Sequence, residues 1–470
     1  MNSIITRFAP SPTGNLHIGG VRTALINYVV TENAKNKFPN SKFYLRIEDT
    51  DLKRSKNEFK NSILNGLNWL NINFDDEPYL QSKKIKRHQE IAFKLLENNK
   101  AFKCICSEES LENKRKKNLE NKINDKKLCK TCENDEKIQN SKEGFVIRIK
   151  IPNKGETLIK DIIQGDVTVK NDEIDNFILL RKDGSPTYML SVVVDDHDLG
   201  INLIIRGDDH LNNAFRQNFI YTNMNWLLPK YAHLPLIHGN DGKKLSKRHG
   251  AIDINDFKEK GYLEESIINN LILLGWSPDQ KNEIIELKEI INKLELKKIS
   301  KSSSIFNFDK LNFFNNYYIN NDNNYDRFYN YCKNNLTLKK FLETDEKKLN
   351  RIFNFNKKEL NYFKNLEDIC IPYFDDDFLT NHSNLLDSNF DNLVSEFVSI
   401  LIDINIWDKE LISEKIKTFI NNKKVKFVLF GKPLRLLLIN SENGPSINDI
   451  LYILGKKNSI QRIKNYISKK

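Results

Sequence analysis

Cysteine is scarce in this sequence, with six residues in 470. So few thiols exclude a disulfide framework of the kind that stabilises small secreted domains. Long apolar runs are missing too. No run of about 18 apolar residues could form a membrane-spanning helix, and no charged and apolar leader precedes the first strand. We therefore expect a soluble protein of the cytoplasm with no membrane partner.

Both common phosphate-binding loops are also absent. The sequence holds neither Gly-x-x-x-x-Gly-Lys-Ser/Thr nor Gly-x-Gly-x-x-Gly, which excludes the nucleotide-binding classes that depend on them. A different turn, rich in proline and glycine, covers residues 10–14. It separates a β-prone start at Ile4 from a helical pattern that begins at Val21, and a second β-prone run covers 43–48. This order predicts a βαβ unit in a parallel sheet.

The helix of that unit is predicted to bind an anion. Its first N–H groups lack partners and lie at the positive end of the helix dipole, so a phosphate is the simplest ligand. His17 comes just before the helix and could donate a hydrogen bond from a ring nitrogen to a phosphoryl oxygen. The alternative is that His17 only caps the helix.

The charge balance is basic. Lys and Arg total 74 against 63 Asp and Glu, which gives a net charge of +11 and a pI near 9.0. A large polyanionic partner would account for this excess; the alternative is a codon bias toward Lys, Asn and Ile. A chain of this length is expected to form roughly two to four domains.

Four of the six cysteines, Cys104, Cys106, Cys129 and Cys132, crowd into one segment. Two close pairs can supply four thiolates to one tetrahedral Zn²⁺, and the metal would anchor the charged, apolar-poor stretch 107–127. The first pair is spaced Cys-x-Cys, which is tighter than the usual Cys-x-x-Cys. The alternative is therefore four free thiols without a metal.

Three apolar runs further along, at 177–180, 188–194 and 201–205, predict strands that are buried on both faces. Polar residues at the carboxyl ends of such strands bind the ligand of an open α/β sheet. We therefore expect Tyr188 and Arg206 to face the same crevice as the turn before the first helix.

A basic loop follows at 239–250. Two glycines precede four cations that occur within six residues. A mobile loop of this kind can close on a polyphosphate, with its lysines acting as compact point charges. Taken alone, the same pattern fits a solvated basic turn.

Glycine is missing altogether from 276 to 430. Tight turns with positive φ become rare without it, and the apolar residues recur at helical spacing, so an all-helical region is predicted. The Asn-rich segment 318–325 is the best linker candidate. A final pair of helices is expected after Gly431, with Gly444 at the turn between them.

These features together carry a resemblance. Residues 7–20 resemble the HIGH-containing signature of class I aminoacyl-tRNA synthetases, and Lys244-Leu-Ser-Lys-Arg resembles their KMSKS loop. The segments 46–51 and 205–210 are similar to bacterial glutamyl-tRNA synthetases, and the likeness covers the whole chain. The last histidine of HIGH is a glycine here, which leaves His17 as the histidine of the motif.

The resemblance implies a fold and a domain order. The fold class is α/β, with a Rossmann-like parallel-sheet catalytic domain, an inserted acceptor-binding subdomain and an all-α anticodon-binding half. The implied boundaries are 1–100 and 186–245 for the two halves of the catalytic domain, 101–185 for the insertion, 246–320 for the KMSKS loop and a helical stem-contact region, and 321–470 for the anticodon-binding region.

It also implies an activity. Glutamate attacks the α-phosphorus of ATP, which Mg²⁺ accompanies, and the glutamyl-adenylate passes its acyl group to the terminal adenosine of tRNA-Glu. Such chemistry depends on positioning and charge stabilisation, so no general base is required. The resemblance further implies a monomer. It does not decide the metal, because the family has members with and without zinc.

Site roles follow from the matched motifs. The expected catalytic residues are His17, Lys244 and Lys247. ATP is expected to bind to His17, Gly19, Gly20, Lys244, Ser246 and Lys247. Glutamate is expected to bind to Arg7, Ala9, Ser11, Glu48, Tyr188 and Arg206.

Within the glutamate pocket, Arg206 is expected to read the side-chain carboxylate and Glu48 the amino group. The alternative for Glu48 is a pair with Arg46. Asp195, Asp196 and Asp209 receive no catalytic role, because each could be a structural partner of a neighbouring cation.

Three other interpretations stay open. A catalytically idle nucleotide- or RNA-binding relative would not need all of His17, Lys247, Arg7 and Arg206. A paralogue that glutamylates a modified tRNA base would lack the long helical half. A synthetase that charges tRNA-Gln, alone or beside tRNA-Glu, would have the same sequence features.

Overall fold

The structure is a computed structural model of the chain. It describes residues 3–51, 54–121, 126–127, 129–142, 144–245, 253–278, 282–321, 324–375 and 388–468. The chain forms two compact units. The first covers 1–257 and 267–308, and the second covers 258–266 and 309–470.

The strands of the described residues all lie in the first unit. They are β1 (Ile5–Phe8), β2 (Lys42–Ile47), β3 (Tyr79–Leu80), β4 (Ala101–Cys104), β5 (Val146–Ile149), β6 (Glu156–Asp161), β7 (Gly165–Lys170), β8 (Ile178–Leu180), β9 (Leu203–Gly207), β10 (Lys230–Leu234), β11 (Ile237–His238) and β12 (Ser304–Ile305).

Two sheets of mainly parallel strands, one of three and one of four, form a layer that is called the main sheet. β2 lies between β1 and β3 and is parallel to both. β10 lies between β9 and β6 and is parallel to both, while β7 pairs antiparallel with β6 at the edge. Asn202 joins the two groups, since its N–H donates to the Ile5 carbonyl at 3.2 Å and its Oδ1 accepts from the Ile5 N–H at 2.9 Å.

A second sheet holds β4, β5 and β8, in which β5 is central and pairs antiparallel with both neighbours. β6 and β7 belong to the main sheet instead, so part of the segment predicted as an insertion contributes to the layer that carries the site. β11 and β12 form a separate short parallel pair.

The helices up to residue 293 are α1 (Ile18–Lys35), α2 (Asn57–Trp69), α3 (Ile85–Glu97), α4 (Glu108–Glu120), α5 (Lys130–Asn134), α6 (Glu136–Gln139), α7 (Tyr188–Asp198), α8 (Leu211–Asn223), α9 (Ile254–Lys260), α10 (Glu264–Ile272) and α11 (Leu287–Lys293). The predicted βαβ unit is confirmed as β1, α1 and β2. Val21, Ala24, Leu25 and Val29 of α1 are buried at the predicted helical spacing.

The prediction of a strand at 188–194 is wrong, because these residues form the first two turns of α7. The segment packs against α3 and α8, and Leu190 through Asp196 are buried. An apolar run that is buried on every side has no period, so it does not separate a strand from a buried helix. The β preference of three consecutive valines is overridden by this packing.

The second unit is helical in its described part, as the missing glycines predicted. The glycine-free stretch also contains the short strand β12, which lies in the first unit. The helices from residue 308 onward are α12 (Phe308–Asn320), α13 (Tyr325–Asn334), α14 (Leu336–Thr344), α15 (Glu346–Asn356), α16 (Leu366–Phe374), α17 (Ser388–Ile402), α18 (Lys409–Lys423), α19 (Phe427–Ile439) and α20 (Ile447–Ser468).

Two boundaries in this region differ from prediction. The linker expected at 318–325 is shorter, since α12 continues to Asn320 and α13 begins at Tyr325. The helix expected after Gly431 begins earlier and includes both Gly431 and Pro433. The turn at Gly444 is confirmed, with φ of +127° between α19 and α20. No helix in the described ranges has both the length and the apolar character that crossing a membrane requires.

Candidate active site

A cavity of about 580 Å³ opens where β1, β2 and β9 end. Every predicted ATP- or glutamate-binding residue that the structure describes lines it: Arg7, Ala9, Ser11, His17, Gly19, Gly20, Glu48, Tyr188, Arg206 and Lys244. Ser246 and Lys247 lie outside the described residues. The crevice predicted from the strand ends is therefore present in the first unit.

His17 is the N-cap of α1. Its Nδ1 accepts a hydrogen bond from the Gly20 N–H at 3.1 Å, so the neutral ring carries its proton on Nε2. Although the side chain is open to the cavity, desolvation by the surrounding protein lowers the pKa of His17; Lys244 adds to this, and Asp209 and Asp253 oppose it. The two interpretations of His17 are compatible, because one nitrogen caps the helix and the other is left to donate.

The basic loop is held at both ends that the structure describes. At its near end the Leu245 N–H donates to the Ile237 carbonyl at 3.0 Å, and Lys244 Nζ lies 3.1 Å from Asp209 Oδ2. Past the loop, the Ile254 N–H donates to the Leu16 carbonyl at 2.9 Å. The described chain is thus attached to β11 just before residues 246–252 and to the turn preceding α1 just after them.

Two buried arginines share one carboxylate. Arg7 Nε donates to Asp196 Oδ1 at 3.0 Å, and Arg7 Nη2 to Oδ2 at 3.4 Å; Arg46 Nη1 also donates to Oδ1. Burial opposes ionisation of Asp196, but Arg46 and Arg7 outweigh it and lower the pKa of that carboxyl. Asp196 is therefore a structural partner of two cations.

Glu48 has a partner and also faces the cavity. Arg46 Nη2 donates to Glu48 Oε1 at 3.2 Å, which is the alternative considered for this residue. Burial raises the pKa of Glu48, while Arg46 and Arg7 oppose the rise. Because Glu48 also lines the cavity, its contact with an amino group stays a prediction.

Arg206 is a buried cation without a carboxylate partner among the described residues. Its Nε donates to His233 Nε2 at 3.1 Å, its Nη1 to Gln217 Oε1 at 2.9 Å and its Nη2 to the His210 carbonyl at 3.2 Å. All three acceptors are neutral groups. A buried charge that no anion compensates favours an anionic ligand in the adjoining cavity.

The sequence is similar to known proteins over nearly its whole length. Residues 3–313 match the family described as tRNA synthetases class I (E and Q), catalytic domain, and residues 327–467 match an anticodon binding domain. A glutamate–tRNA ligase of Pelagibacter ubique is 40% identical over 477 residues, which is 99% of this chain and 100% of that one. Glutamate–tRNA ligase 2 of a Wolbachia strain from Brugia malayi is 40% identical over 471 residues, with 99% and 100% covered.

The chain belongs to the glutamate–tRNA ligase family. Its fold agrees, since the solved glutamate tRNA ligase of Elizabethkingia meningosepticum, in complex with its amino acid, has a TM-score of 0.82 at 28% identity over 99% of both chains. The predicted α/β catalytic region and helical carboxyl-terminal region are confirmed.

This member of the ligase family brings its four predicted zinc ligands together. The Sγ atoms of Cys104, Cys106, Cys129 and Cys132 all lie within 4.8 Å of one another, and none forms a disulfide. A hydrogen bond from the Cys129 thiol lowers the pKa of Cys104. Four thiols from two chain segments at this separation fit the donor set and size of a tetrahedral zinc site.

The cluster also contacts the excursion that follows it. Leu111, on the highly charged helix α4, is buried against Phe102 and the cysteines. It is the apolar anchor of a helix whose other side chains are mostly exposed. A metal at the four thiols would therefore fix the base of α4, as the sequence predicts.

Sequence reasoning missed several residues around the ligase cavity. His210 and Asn213 line it, and His210 Nδ1 lies 3.3 Å from the Tyr188 hydroxyl. Arg22 donates to the carbonyls of Pro235 and Leu274 at 2.7 and 2.6 Å, which holds the cavity wall against α1. The sequence signal for Arg22 was a charged residue within an apolar helical pattern. The local sequence does not show which distant carbonyls such a residue contacts.

Proposed function

We propose that the chain activates L-glutamate with ATP, releases pyrophosphate and transfers the glutamyl group to the 3′-terminal adenosine of tRNA-Glu. The observation that carries this proposal is a single cavity in which the HIGH turn, Lys244 and the uncompensated Arg206 meet. The family of the chain supports it, because the relatives compared above are glutamate–tRNA ligases over their full length.

ATP is proposed to bind at the start of α1. The backbone N–H of Gly19 and the Nε2–H of His17 face the triphosphate, and Lys244 approaches it from the basic loop. Gly20 lines the same turn, while its N–H is donated to His17 Nδ1. Ser246 and Lys247 are proposed to complete this set. Mg²⁺ accompanies the nucleotide and is held mainly by phosphate oxygens and water.

Glutamate is proposed to bind between the buried arginines and Glu48. Arg206 pairs with the side-chain carboxylate, Arg7 adds positive potential, and Glu48 accepts from the ammonium group. Burial raises the pKa of Tyr188, so its hydroxyl keeps its proton and can donate. Ala9 and Ser11 complete the wall. Glutamine lacks the charge that Arg206 requires and is expected to be rejected.

The helical unit is proposed to bind the anticodon loop. Its described part has a cavity of about 490 Å³ lined by Lys417, Asn421, Phe427 and Ile447, among others. Phe427 is 46% exposed there. An open aromatic ring beside a lysine suits a splayed base and its phosphate.

Other parts of the proposal concern the protein as a whole. We propose one structural Zn²⁺ at the four cysteines, a monomer in the cytoplasm, and the domain boundaries 1–100, 101–185, 186–245, 246–320 and 321–470. The alternative specificity is a ligase that also, or only, glutamylates tRNA-Gln for later amidation.

The test is ATP–pyrophosphate exchange with glutamate and tRNA-Glu, followed by charging of purified tRNA-Glu and tRNA-Gln in separate reactions. Glutamate-dependent exchange and charging of tRNA-Glu are expected. Charging of tRNA-Gln at comparable efficiency would establish the alternative specificity. Absence of exchange with both tRNAs would contradict the proposed function and favour an idle RNA-binding relative.

A further inference from the structure

Arg206, His233 and Asp161 occupy three neighbouring parallel strands. Arg206 on β9 is the direct partner of His233 on β10, and Asp161 ends β6, the next strand. All three side chains are buried, with exposed fractions of 6%, 0% and 6%. The three side chains therefore form a chain of contacts across the sheet toward the cavity. The chain ends at Arg206, the cation proposed to bind the substrate carboxylate.

The order of protons along this line is fixed by the groups themselves. Asp161 Oδ2 lies 2.6 Å from His233 Nδ1, and an ionised carboxylate only accepts, so the proton sits on Nδ1. Nε2 is then an acceptor and receives the Nε–H of Arg206 at 3.1 Å. Desolvation lowers the pKa of His233 although Asp161 opposes this, so the ring is neutral and carries one proton.

This arrangement determines which face of Arg206 can bind a ligand. A guanidinium has five N–H bonds, and three of those of Arg206 are donated to His233, Gln217 and the His210 carbonyl. Each terminal nitrogen therefore keeps one N–H for a ligand, while Nε keeps none. The centroid of the Tyr231 ring lies 5.9 Å from Arg206 Cζ. This contact also helps to hold the guanidinium plane in its orientation.

We propose that Asp161 and His233 are positioning residues for substrate recognition. Asp161 holds His233 in the tautomer that accepts from Arg206 Nε, and His233 thereby turns the two terminal N–H bonds toward the substrate carboxylate. This inference rests on the proposed role of Arg206. It adds a specificity determinant that lies two strands away from the cavity and touches no substrate atom.

The experiment uses three variants of the full chain. In Asp161→Asn the side-chain N–H₂ faces His233 Nδ1, so the ring proton moves to Nε2 and opposes the Arg206 Nε–H. His233→Gln offers an acceptor near the Nε2 position and has no tautomer. The third variant combines both changes. Each is assayed by ATP–pyrophosphate exchange with tRNA-Glu, over a range of glutamate and of ATP concentrations.

Asp161→Asn is expected to raise the glutamate KM about 10- to 100-fold, the value of a lost hydrogen bond to a charged group, with the ATP KM unchanged. The glutamate KM of His233→Gln is expected to stay within about 3-fold of the wild-type value, because the hydrogen bond to Arg206 is kept. The double variant is expected to behave like His233→Gln, because the charged Arg206 donor keeps the amide oxygen of the new side chain toward its Nε–H whichever residue stands at position 161.

Two results would overturn the inference. One is a normal glutamate KM in Asp161→Asn; the other is a double variant as impaired as Asp161→Asn, since a purely structural defect of the β6–β10 contact would persist there. Thermal unfolding of each variant checks that the fold is kept. Failure of the proposed function is distinct, because the wild type would then show no glutamate-dependent exchange.

Discussion

The backbones of His17 and Asp253 pair in an antiparallel bridge. Asn15 adds a side-chain contact by donating from Nδ2 to Asp253 Oδ2. The chain just past the basic loop is therefore fixed to the turn that binds the triphosphate in our proposal. The two contacts limit movement of Asp253 relative to that turn.

Asp253→Ala tests this attachment. The variant loses the Asn15 contact, and we expect about a 10-fold lower kcat in pyrophosphate exchange with little change in the glutamate KM, because only positioning of the cations is affected. Asp253→Asn isolates this contact, since its amide oxygen still accepts the Asn255 N–H that Asp253 Oδ1 now accepts at 3.0 Å. Its N–H₂ group replaces Oδ2 and faces the Asn15 donor, so a similar loss of kcat is expected. Equal activity of the alanine variant and the wild type would show that the bridge alone is sufficient.

His17→Asn separates the two roles of this residue. Asparagine is a good N-cap, so it keeps the bond from Gly20 but lacks the Nε2 donor. We expect a kcat lower by about 10²- to 10³-fold with the melting temperature unchanged. His17→Ala should lose the same activity and also about 1 kcal/mol of stability. An asparagine variant with nearly normal kcat would leave His17 as a cap only.

Much of the site was predictable because its residues belong to local patterns. The strand, turn and helix around His17 follow from proline, glycine and apolar spacing, and they bring Arg7 and Glu48 to one edge. Two features were not predictable. The run that forms α7 has no period, and the pairing of Asp161 with His233 joins strands from distant segments. Contacts of that kind depend on strand order, which the sequence does not display locally.

Asp196 provides a prediction about pH. Removing it leaves buried Arg7 without a carboxylate contact and leaves Arg46 with Glu48 as its carboxylate contact, so Asp196→Asn should lose about 3–5 kcal/mol near pH 7. The pKa of Asp196 is lowered from 3.8, so its contribution is complete above that value and is lost as pH falls toward the lower folded pKa. The difference in melting temperature between wild type and variant should therefore shrink as pH falls below about 4. A difference that stays constant with pH would contradict this account.

Zinc content tests the cysteine cluster. We expect about one zinc per chain by elemental analysis of the purified protein, the content of a single four-thiolate site, and its loss in Cys129→Ser. Cys332→Ser is the matched control, since Cys332 is also a buried free thiol but lies in the helical unit. The metal-free variant should unfold at a lower temperature, because metal binding contributes to folding. A wild type without zinc would favour the free thiols considered at the outset.

Phe427 tests where the helical unit binds tRNA. Loss of a base stacked on an aromatic ring costs about 1–3 kcal/mol, so Phe427→Ala should raise the tRNA KM roughly 5- to 100-fold and leave the KM values for ATP and glutamate unchanged. Lys417→Ala should raise it less, and the increase should shrink at high salt because a lysine–phosphate contact is screened. Phe313→Ala is the control, since Phe313 is 60% exposed and lies outside the cavity. If Phe427→Ala and Phe313→Ala raised the tRNA KM equally, the effect would come from losing any exposed aromatic side chain. Stacking of a base in this cavity would then be contradicted.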